Sequence, residues 1–254
     1  MIYRYIPKEY IEYLDNEDRS FLNDIFLYYQ GFPNLNQLWN LMDKVWDEFK
    51  CDPLIFGENI NKFYEHPVWL LNGLYIEQDK ISLHHRKEFT SWVISKKPSR
   101  IADYGGGFGS LARLISKVNS DIKIDIVEPH PHPLAIYLSS KYENVNFVPK
   151  LKDNYDILIS TDVFEHVPDP IDLVEKISLK IKKNGYFLIA NCFQPVIKCH
   201  LKQLLHLDIG WDQIMIELGT EPKEVVSYGR AYQIVGKANK QSAKSLEKKI
   251  KIIY

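Results

Sequence analysis

The chain predicts a doubly wound α/β fold with a helical region in front of it, and three features of the sequence carry that expectation. One is a cluster of glycines, Gly105-Gly106-Gly107-Phe108-Gly109, between a short apolar run and a segment of helical period. Another is the texture from Arg100 onward, where short apolar runs alternate with helical patterns. Parallel strands covered by helices on both faces produce that alternation. The last is the preceding third of the chain, whose apolar residues recur at helical spacing.

Residues 1–97 read as helical. The clearest segment opens at Pro33-Asn34 and places Leu35, Leu38, Trp39, Met42, Val45, Trp46 and Phe49 on one stripe, with Asn36, Asp43, Lys44 and Glu48 opposite. Phe21 to Tyr29, Val68 to Ile76 and Ile81 to Ser95 carry weaker helical patterns, the last stopped by Pro98. Their aromatic residues are expected in the core, with some tyrosines and tryptophans left to line a substrate pocket as a lid.

Five strands are then expected: Ile101 to Tyr104, Ile122 to Glu128, Val145 to Val148, Tyr155 to Ser160 and Tyr186 to Ala190. A helix from about Ile171 to Ile181 separates the last two, and Asn184-Gly185 reads as a turn. One or two helices between Lys198 and Leu218 precede two β-like runs, Glu224 to Ser227 and Ala231 to Val235. The lysine-rich stretch from Lys237 is expected to be a solvated, frayed helix or a disordered end.

Composition narrows the function classes. The chain has 254 residues, 32 basic and 33 acidic, with a formal net charge of −1. That balance argues against a general nucleic-acid binder. Three cysteines, Cys51, Cys192 and Cys199, are too few and odd in number for a disulfide scaffold. No apolar run reaches the length of a membrane span, and the first residues lack a signal-peptide pattern. A cytoplasmic protein without a membrane span is expected.

The glycine turn is where chemistry is expected. Glycine adopts positive φ without strain and lets a ligand approach the backbone, and the helix that follows points its N–H groups into the turn. Gly107-x-Gly109-x-x-Ala112 nearly meets a dinucleotide fingerprint. An acid two residues before the first glycine, Asp103, suits instead a ligand carrying an ammonium group. Glu128, ending the second strand, can accept both hydroxyls of an adenosine ribose and fits either class of ligand.

The segment Tyr155-Asp156-Ile157-Leu158-Ile159-Ser160-Thr161-Asp162-Val163-Phe164-Glu165-His166-Val167-Pro168-Asp169-Pro170 separates the two. Together with Asp103 and the glycines it resembles the class I S-adenosylmethionine-dependent methyltransferases, of the ubiquinone/menaquinone-biosynthesis type. The resemblance is specific over residues 98–190, loose over 191–236 and absent from the N-terminal third. It implies a mostly parallel, seven-stranded Rossmann-like sheet closed by a hairpin. Residues 1–97 would be a helical lid, 98–236 the cofactor-binding core and 237–254 a lysine-rich tail.

Carried over residue by residue, the resemblance places Asp103, Tyr104, Gly105, Gly106 and Gly107 at the methionine moiety of S-adenosylmethionine. Glu128 would hold the ribose, with Pro129 or His130 against the adenine, and His132 shaping the same rim. Thr161, Asp162 and Val163 would border the sulfonium and the acceptor. Arg86, beside His84 and His85, is a candidate for the methionine carboxylate. Many relatives also place an acid after the third strand to hold the adenine amino group. Phe147-Val148-Pro149-Lys150-Leu151 offers none, and Asp153 falls late.

His166 and His200 are the candidate catalytic bases, since histidine titrates nearest neutral pH. Cys192, Cys199, His200 and His206 are zinc's ligand types, but their spacing lacks the short Cys-x-x-Cys pairing of structural sites, and no metal is expected. The implied activity is methyl transfer to a small-molecule acceptor such as a sugar, lipid or secondary-metabolite precursor. Two alternatives stand beside it: an NAD(P)-dependent oxidoreductase using the Gly107 fingerprint, and a non-catalytic scaffold that keeps the fold.

Overall fold

The computed structural model describes residues 2–254. Among the described residues, seven strands form one sheet: β1 Arg100–Tyr104, β2 Lys123–Val127, β3 Val145–Phe147, β4 Tyr155–Thr161, β5 Ile181–Ala190, β6 Thr220–Val226 and β7 Gly229–Ile234. Their spatial order is β3-β2-β1-β4-β5-β7-β6. The first five are parallel, β7 pairs antiparallel with β5, and β6 with β7. The direction of winding reverses between β1 and β4, and in such sheets the crevice at that reversal, beyond the carboxyl ends of the strands, is where ligands bind.

Ten α-helices of the described chain surround the sheet. Helices α1 to α5 (Asn16–Tyr29, Leu35–Glu48, Glu58–Glu65, Pro67–Ile76 and Lys80–Ser95) precede it. Helices α6 to α10 (Ser110–Val118, Pro133–Ser140, Pro170–Ser178, Trp211–Glu217 and Lys240–Ile253) are woven through and after it. Asp15 with Asp18, and Asn34 with Gln37, form capping boxes that start α1 and α2. One face of the sheet packs Ile101, Ile124, Ile126, Ile157 and Ile159 against Phe89 and Val93 of α5 and Leu111 and Ile115 of α6. The other packs Ala102, Leu158 and Phe187 against Ile171 and Val174 of α8 and Ile214 and Met215 of α9.

The N-terminal helices build a core of their own. Leu22 and Phe26 of α1, Leu38, Met42 and Trp46 of α2, Phe63 of α3 and Leu71 of α4 join Leu134 and Leu138 of α7 and Phe108 of the glycine turn. Gly73 in α4 makes room for Phe108, whose ring would lie 2.6 Å from a Cβ at that position. Glu77, at the end of the same helix, accepts from Ser110 (2.7 Å) and pairs with Arg113 of α6. The N-terminal helices are thus seated directly on the turn that the sequence marks for ligand binding.

Three sequence expectations change in detail. Asn184-Gly185 is not a turn before β5 but lies within it, where Gly185 packs against the backbone carbonyls of Asp156 and Lys182 and the β4–β5 register shifts. Helices α3 and α7 had no counterpart in the sequence reading. The tail is ordered as α10 and docked: Ala243 is fully buried, Ile250 covers Gly210, Lys240 pairs with Asp172 of α8, and Lys244 pairs with Asp169, which caps it.

Candidate functional site

The carboxyl ends of β1 and β4 meet at the glycine turn. Gly105 has φ +71°, and a Cβ there would lie 2.3 Å from Val163 Cγ2, so glycine is what lets the two strand exits touch. Gly106 lies on the Asp103 carboxyl, which a Cβ would approach to 2.8 Å. Gly107, at φ +50°, faces open space: a Cβ there would meet nothing within 4 Å. Helix α6 then begins after Gly109 with no side chain capping it, leaving N–H groups available to a ligand.

Acids ring this turn with little to neutralise them. Asp103 is buried, and burial pushes its carboxyl up to about 7 despite the pull of Arg86. Arg86 reaches in from α5, with one guanidinium nitrogen on the Ser82 carbonyl (3.1 Å), and its charge acts on both Asp103 and Asp162. Glu128, just past β2, accepts from the Gly107 N–H (3.0 Å) and the His130 N–H (3.2 Å). His130 approaches Glu65 of the lid (3.3 Å) and lies parallel to the Tyr64 ring.

Asp162 follows β4 in the left-handed region (φ +54°), its N–H on the Ala190 carbonyl at 2.7 Å. Solvent reaches its carboxylate, yet the surrounding protein is dense enough that desolvation raises its pKa against the Tyr228 hydroxyl, Arg86 and His85. Tyr228, in the β6–β7 turn, donates to Asp162 Oδ2 at 2.8 Å. The neighbouring Ser227 hydroxyl is hydrogen-bonded to His85 Nδ1 (2.6 Å).

A second cluster stands beside it. Phe164–His166 is a 3₁₀ turn that buries Glu165 behind Asp162. Glu165 Oε1 accepts from the Cys192 N–H (2.8 Å), whereas Oε2 is buried with no hydrogen-bond partner among the described residues. Burial, then the charge of Asp162, pushes this carboxyl up to about 8. His166 Nδ1 meets the Cys199 carbonyl (3.0 Å) and His200 Nδ1 the Gln194 carbonyl (2.7 Å). A carbonyl only accepts, so both Nδ1 atoms carry the proton and both Nε2 atoms have a free lone pair. His166 is half-buried at the cleft but crowded by Tyr64, Trp69 and His200, and burial together with His200 takes its pKa down to about 3.

The structure gathers most of the residues singled out from sequence. Asp103, Gly105, Gly106, Gly107, Glu128, His130, Thr161, Asp162, Val163 and Arg86 lie along the strand exits, with Pro129 exposed beside them. Tyr104 packs its ring on the α8-side core, within electrostatic reach of Glu128. His132 is a correction: it caps α7 and pairs with Asp18 of α1 (3.0 Å), so it fastens the N-terminal helices to the sheet domain instead of shaping a rim. His84 is exposed, and Asp153 sits at the opposite edge of the sheet with Lys180. The zinc-type residues scatter: Cys199 is buried, Cys192 meets Glu165 only through its backbone N–H, and His206 lies by Glu247 of α10.

Sequence reading missed Glu165 and Tyr228 as site residues. Glu165 had a local signal, a carboxylate beside His166 and flanked by Val163-Phe164, which marks a buried turn. Tyr228 had none, because its contact with Asp162 spans 66 residues. Two surface hollows of about 430 Å³ and 270 Å³ lie elsewhere, outside α5 and between α6 and α7, and neither contains the acids of the strand exits.

Open-sheet topology, a glycine turn over a buried acid and a second acid at the end of β2 define an adenosine-binding α/β domain. Residues 75–250 match a family model described as a methyltransferase domain. The chain belongs to that family, and so to the class I S-adenosylmethionine-dependent methyltransferases. It is 22% identical over 137 residues to a ubiquinone biosynthesis O-methyltransferase of Coxiella burnetii, an alignment covering 51% of this chain and 56% of that one. The alignment thus takes in little more than half the length of the curated relative. An O-methyltransferase family protein from Burkholderia thailandensis shares the fold with a TM-score of 0.55 at 12% identity, over 80% of this chain and 71% of that one. Human N-acetylserotonin methyltransferase, solved in complex with S-adenosylmethionine, does so at 0.53 and 17% identity, over 80% and 67%.

Proposed function

We propose that the protein transfers the methyl group of S-adenosylmethionine to a small-molecule acceptor held between the lid and the exits of β4 and β5. The observation that carries this reading is the buried Asp103 under Gly106, with no cation bonded to it among the described residues, one strand away from Glu128. A pyrophosphate would be repelled by such a pair. An α-ammonium group suits the first acid and vicinal ribose hydroxyls suit the second. Arg86 is the cation within reach of the methionine carboxylate, and His130 and Tyr64 offer flat surfaces to the adenine or the acceptor.

The chemistry needs alignment more than activation. The acceptor's lone pair forms a bond to the methyl carbon as the carbon–sulfur bond breaks, and S-adenosylhomocysteine leaves. Holding the two partners in line can be equivalent to ~10⁵–10⁸ M of effective concentration. An oxygen acceptor also gives up a proton, and His166 and His200 would take it through Nε2 only transiently, because burial holds both imidazoles below their usual range. The name of the matched O-methyltransferase supports oxygen as the acceptor atom, and the rings of Tyr64, Trp69 and His130 beside the strand exits suit a sugar, lipid or secondary-metabolite precursor. The three cysteines are all unpaired, in keeping with a reducing, cytoplasmic setting.

Isothermal titration of S-adenosylmethionine, S-adenosylhomocysteine and NADH tests the reading. Micromolar binding of the first two, lost in Asp103→Ala, is expected. NADH binding alone would replace the reading with an oxidoreductase. Binding of none would leave a scaffold that keeps the fold.

A further inference from the structure

We propose that Tyr228, in the turn between β6 and β7, is a positioning residue that tunes the site to the charged form of its cofactor. It holds the Asp162 carboxylate, with its charge intact, toward the sulfonium of S-adenosylmethionine, a charge that S-adenosylhomocysteine lacks. The proposal rests on the methyl-transfer reading and deepens it, because telling substrate from product keeps spent cofactor from occupying the site.

The strand exits fix where the sulfonium falls. The Gly105 N–H bonds to the Val127 carbonyl (2.7 Å), which ties the glycine turn to the end of β2 and so to Glu128. On its other side Gly105 meets Val163, the neighbour of Asp162. With the ribose on the β2 side and the acceptor beyond β4 and β5, the sulfur between them lies over this turn and points its methyl group toward the β4 exit. Asp162 is held there by its own backbone, in the left-handed region with its N–H on the Ala190 carbonyl.

Tyr228 is fixed just as closely. Gly229 lets the hairpin close on β5, since a Cβ there would lie 2.6 Å from the Ile189 carbonyl oxygen. Ser227 takes a left-handed φ of +56°, and its hydroxyl is bonded to His85 Nδ1 (2.6 Å). The Tyr228 ring stands edge-on to His85 and Phe89 of α5, and its hydroxyl donates to Asp162 Oδ2 at 2.8 Å. Desolvation and the Asp162 charge push the phenol further above its ordinary pKa, so it remains a neutral donor. That neutrality matters. A lysine or arginine in this position would orient the carboxylate and cancel its charge, whereas a hydroxyl orients it and leaves the charge to the ligand.

Desolvation favours the protonated form of Asp162, and the Tyr228 hydroxyl works against it. The other titratable and charged groups around it are Arg86 and His85 of α5, Glu165 in the turn after β4 and the Cys192 thiol after β5. Among the described residues, Tyr228 is the side chain that bonds to the carboxylate. Without its hydroxyl, Asp162 would take up a proton at higher pH than in the wild type, and the attraction to the sulfonium would fade with its charge.

Isothermal titration of the full-length protein with S-adenosylmethionine and S-adenosylhomocysteine gives the ratio of the two dissociation constants, in which contacts common to both ligands cancel. At pH 7 the ratio should move against S-adenosylmethionine by about tenfold in Asp162→Asn, a substitution that tolerates the left-handed backbone. Tyr228→Phe, which keeps the ring packing, should move it by roughly threefold or more. Raising the pH to about 8.5 should bring the Tyr228→Phe ratio back toward wild type and leave Asp162→Asn where it was. Tyr232→Phe removes a similar hydroxyl from the same hairpin, bonded to Asp212 (2.6 Å), and should leave the ratio unchanged. An unchanged ratio in Tyr228→Phe, an equal change in Tyr232→Phe, or a Tyr228→Phe deficit that pH does not move would overturn the proposal alone. Failure of the wild type to bind either ligand would overturn the methyl-transfer reading and the proposal with it.

Discussion

The two edges of the sheet carry the same residue types in opposite settings. At the amino ends of the strands every prominent acid has its partners. Asp125, buried in β2, meets Arg100 (2.6 Å), Lys152 (3.0 Å) and the Tyr155 hydroxyl (2.9 Å). Asp156 accepts from the Ser99 N–H and hydroxyl and the Arg100 N–H, and pairs with Lys182. Burial alone would raise both, and the surrounding donors more than offset it, leaving Asp125 below the usual carboxylate range and Asp156 at about 2. At the carboxyl ends Asp103, Asp162 and Glu165 are all pushed up instead. One edge is finished by its own side chains. The other keeps acids that the protein's own side chains do not fully offset.

That contrast can be broken in several places. The largest effect should come from Glu128→Ala and Asp103→Asn on S-adenosylhomocysteine binding, each removing a charge-assisted contact. Hydrogen bonds to charged groups contribute about 1.5–3 kcal/mol, so titration should show affinity falling by roughly ten- to a hundredfold.

At the other edge, Asp156→Asn should leave ligand affinity unchanged and destabilise the fold. The Asp156 pKa is depressed from 3.8 to about 2, so its contribution is full above pH ~4 and is lost as pH falls through about 2. The shift corresponds to about 2 kcal/mol, read as the urea-unfolding difference between wild type and variant at pH 7 and its disappearance near pH 2.

A tenfold effect is expected from pH alone. With the free-protein pKa of Asp103 at about 7, its carboxylate is mostly protonated at pH 6 and mostly ionised at pH 8. Affinity for S-adenosylhomocysteine should therefore rise by roughly tenfold across that interval. The slope should vanish in Asp103→Asn, which separates it from titration of the ligand's own amine. The smallest effect should be that of Lys180→Ala, which breaks only the exposed pair with Asp153 (2.7 Å). Thermal unfolding should register about 1 kcal/mol or less.

How legible each edge was in the sequence follows from the range of its contacts. The strands, the glycine turn, Asp103 and Glu128 announce themselves locally, because apolar runs, turn glycines and strand-end acids are adjacent in the chain. Leu35–Glu48 was readable for the same reason, its stripe and its Asn34 cap lying in one window. Helix α7 was hidden by Pro131 and Pro133, which look like breakers, although Pro133 takes the first helical position and His132 caps it. The tail looked solvated because its apolar residues, Ala243, Leu246 and Ile250, are outnumbered by lysines and gain their partners only from α8, α9 and the 3₁₀ segment Lys202–Ile209. The Glu165, His166 and His200 cluster joins segments more than thirty residues apart, and Tyr228 reaches Asp162 from the far hairpin. No periodicity encodes such meetings.

The most direct test of the contrast is urea unfolding of Asp103→Asn at pH 8, with and without S-adenosylhomocysteine. A buried acid raised from 3.8 to about 7 binds more protons folded than unfolded between those values, so stability falls as pH rises from about 4 to about 7 and the whole cost is present at pH 8. Without ligand the variant should be more stable than wild type by roughly 1–3 kcal/mol, and ligand should stabilise it far less. A variant that is less stable than wild type, yet gains as much from the ligand, would contradict the account.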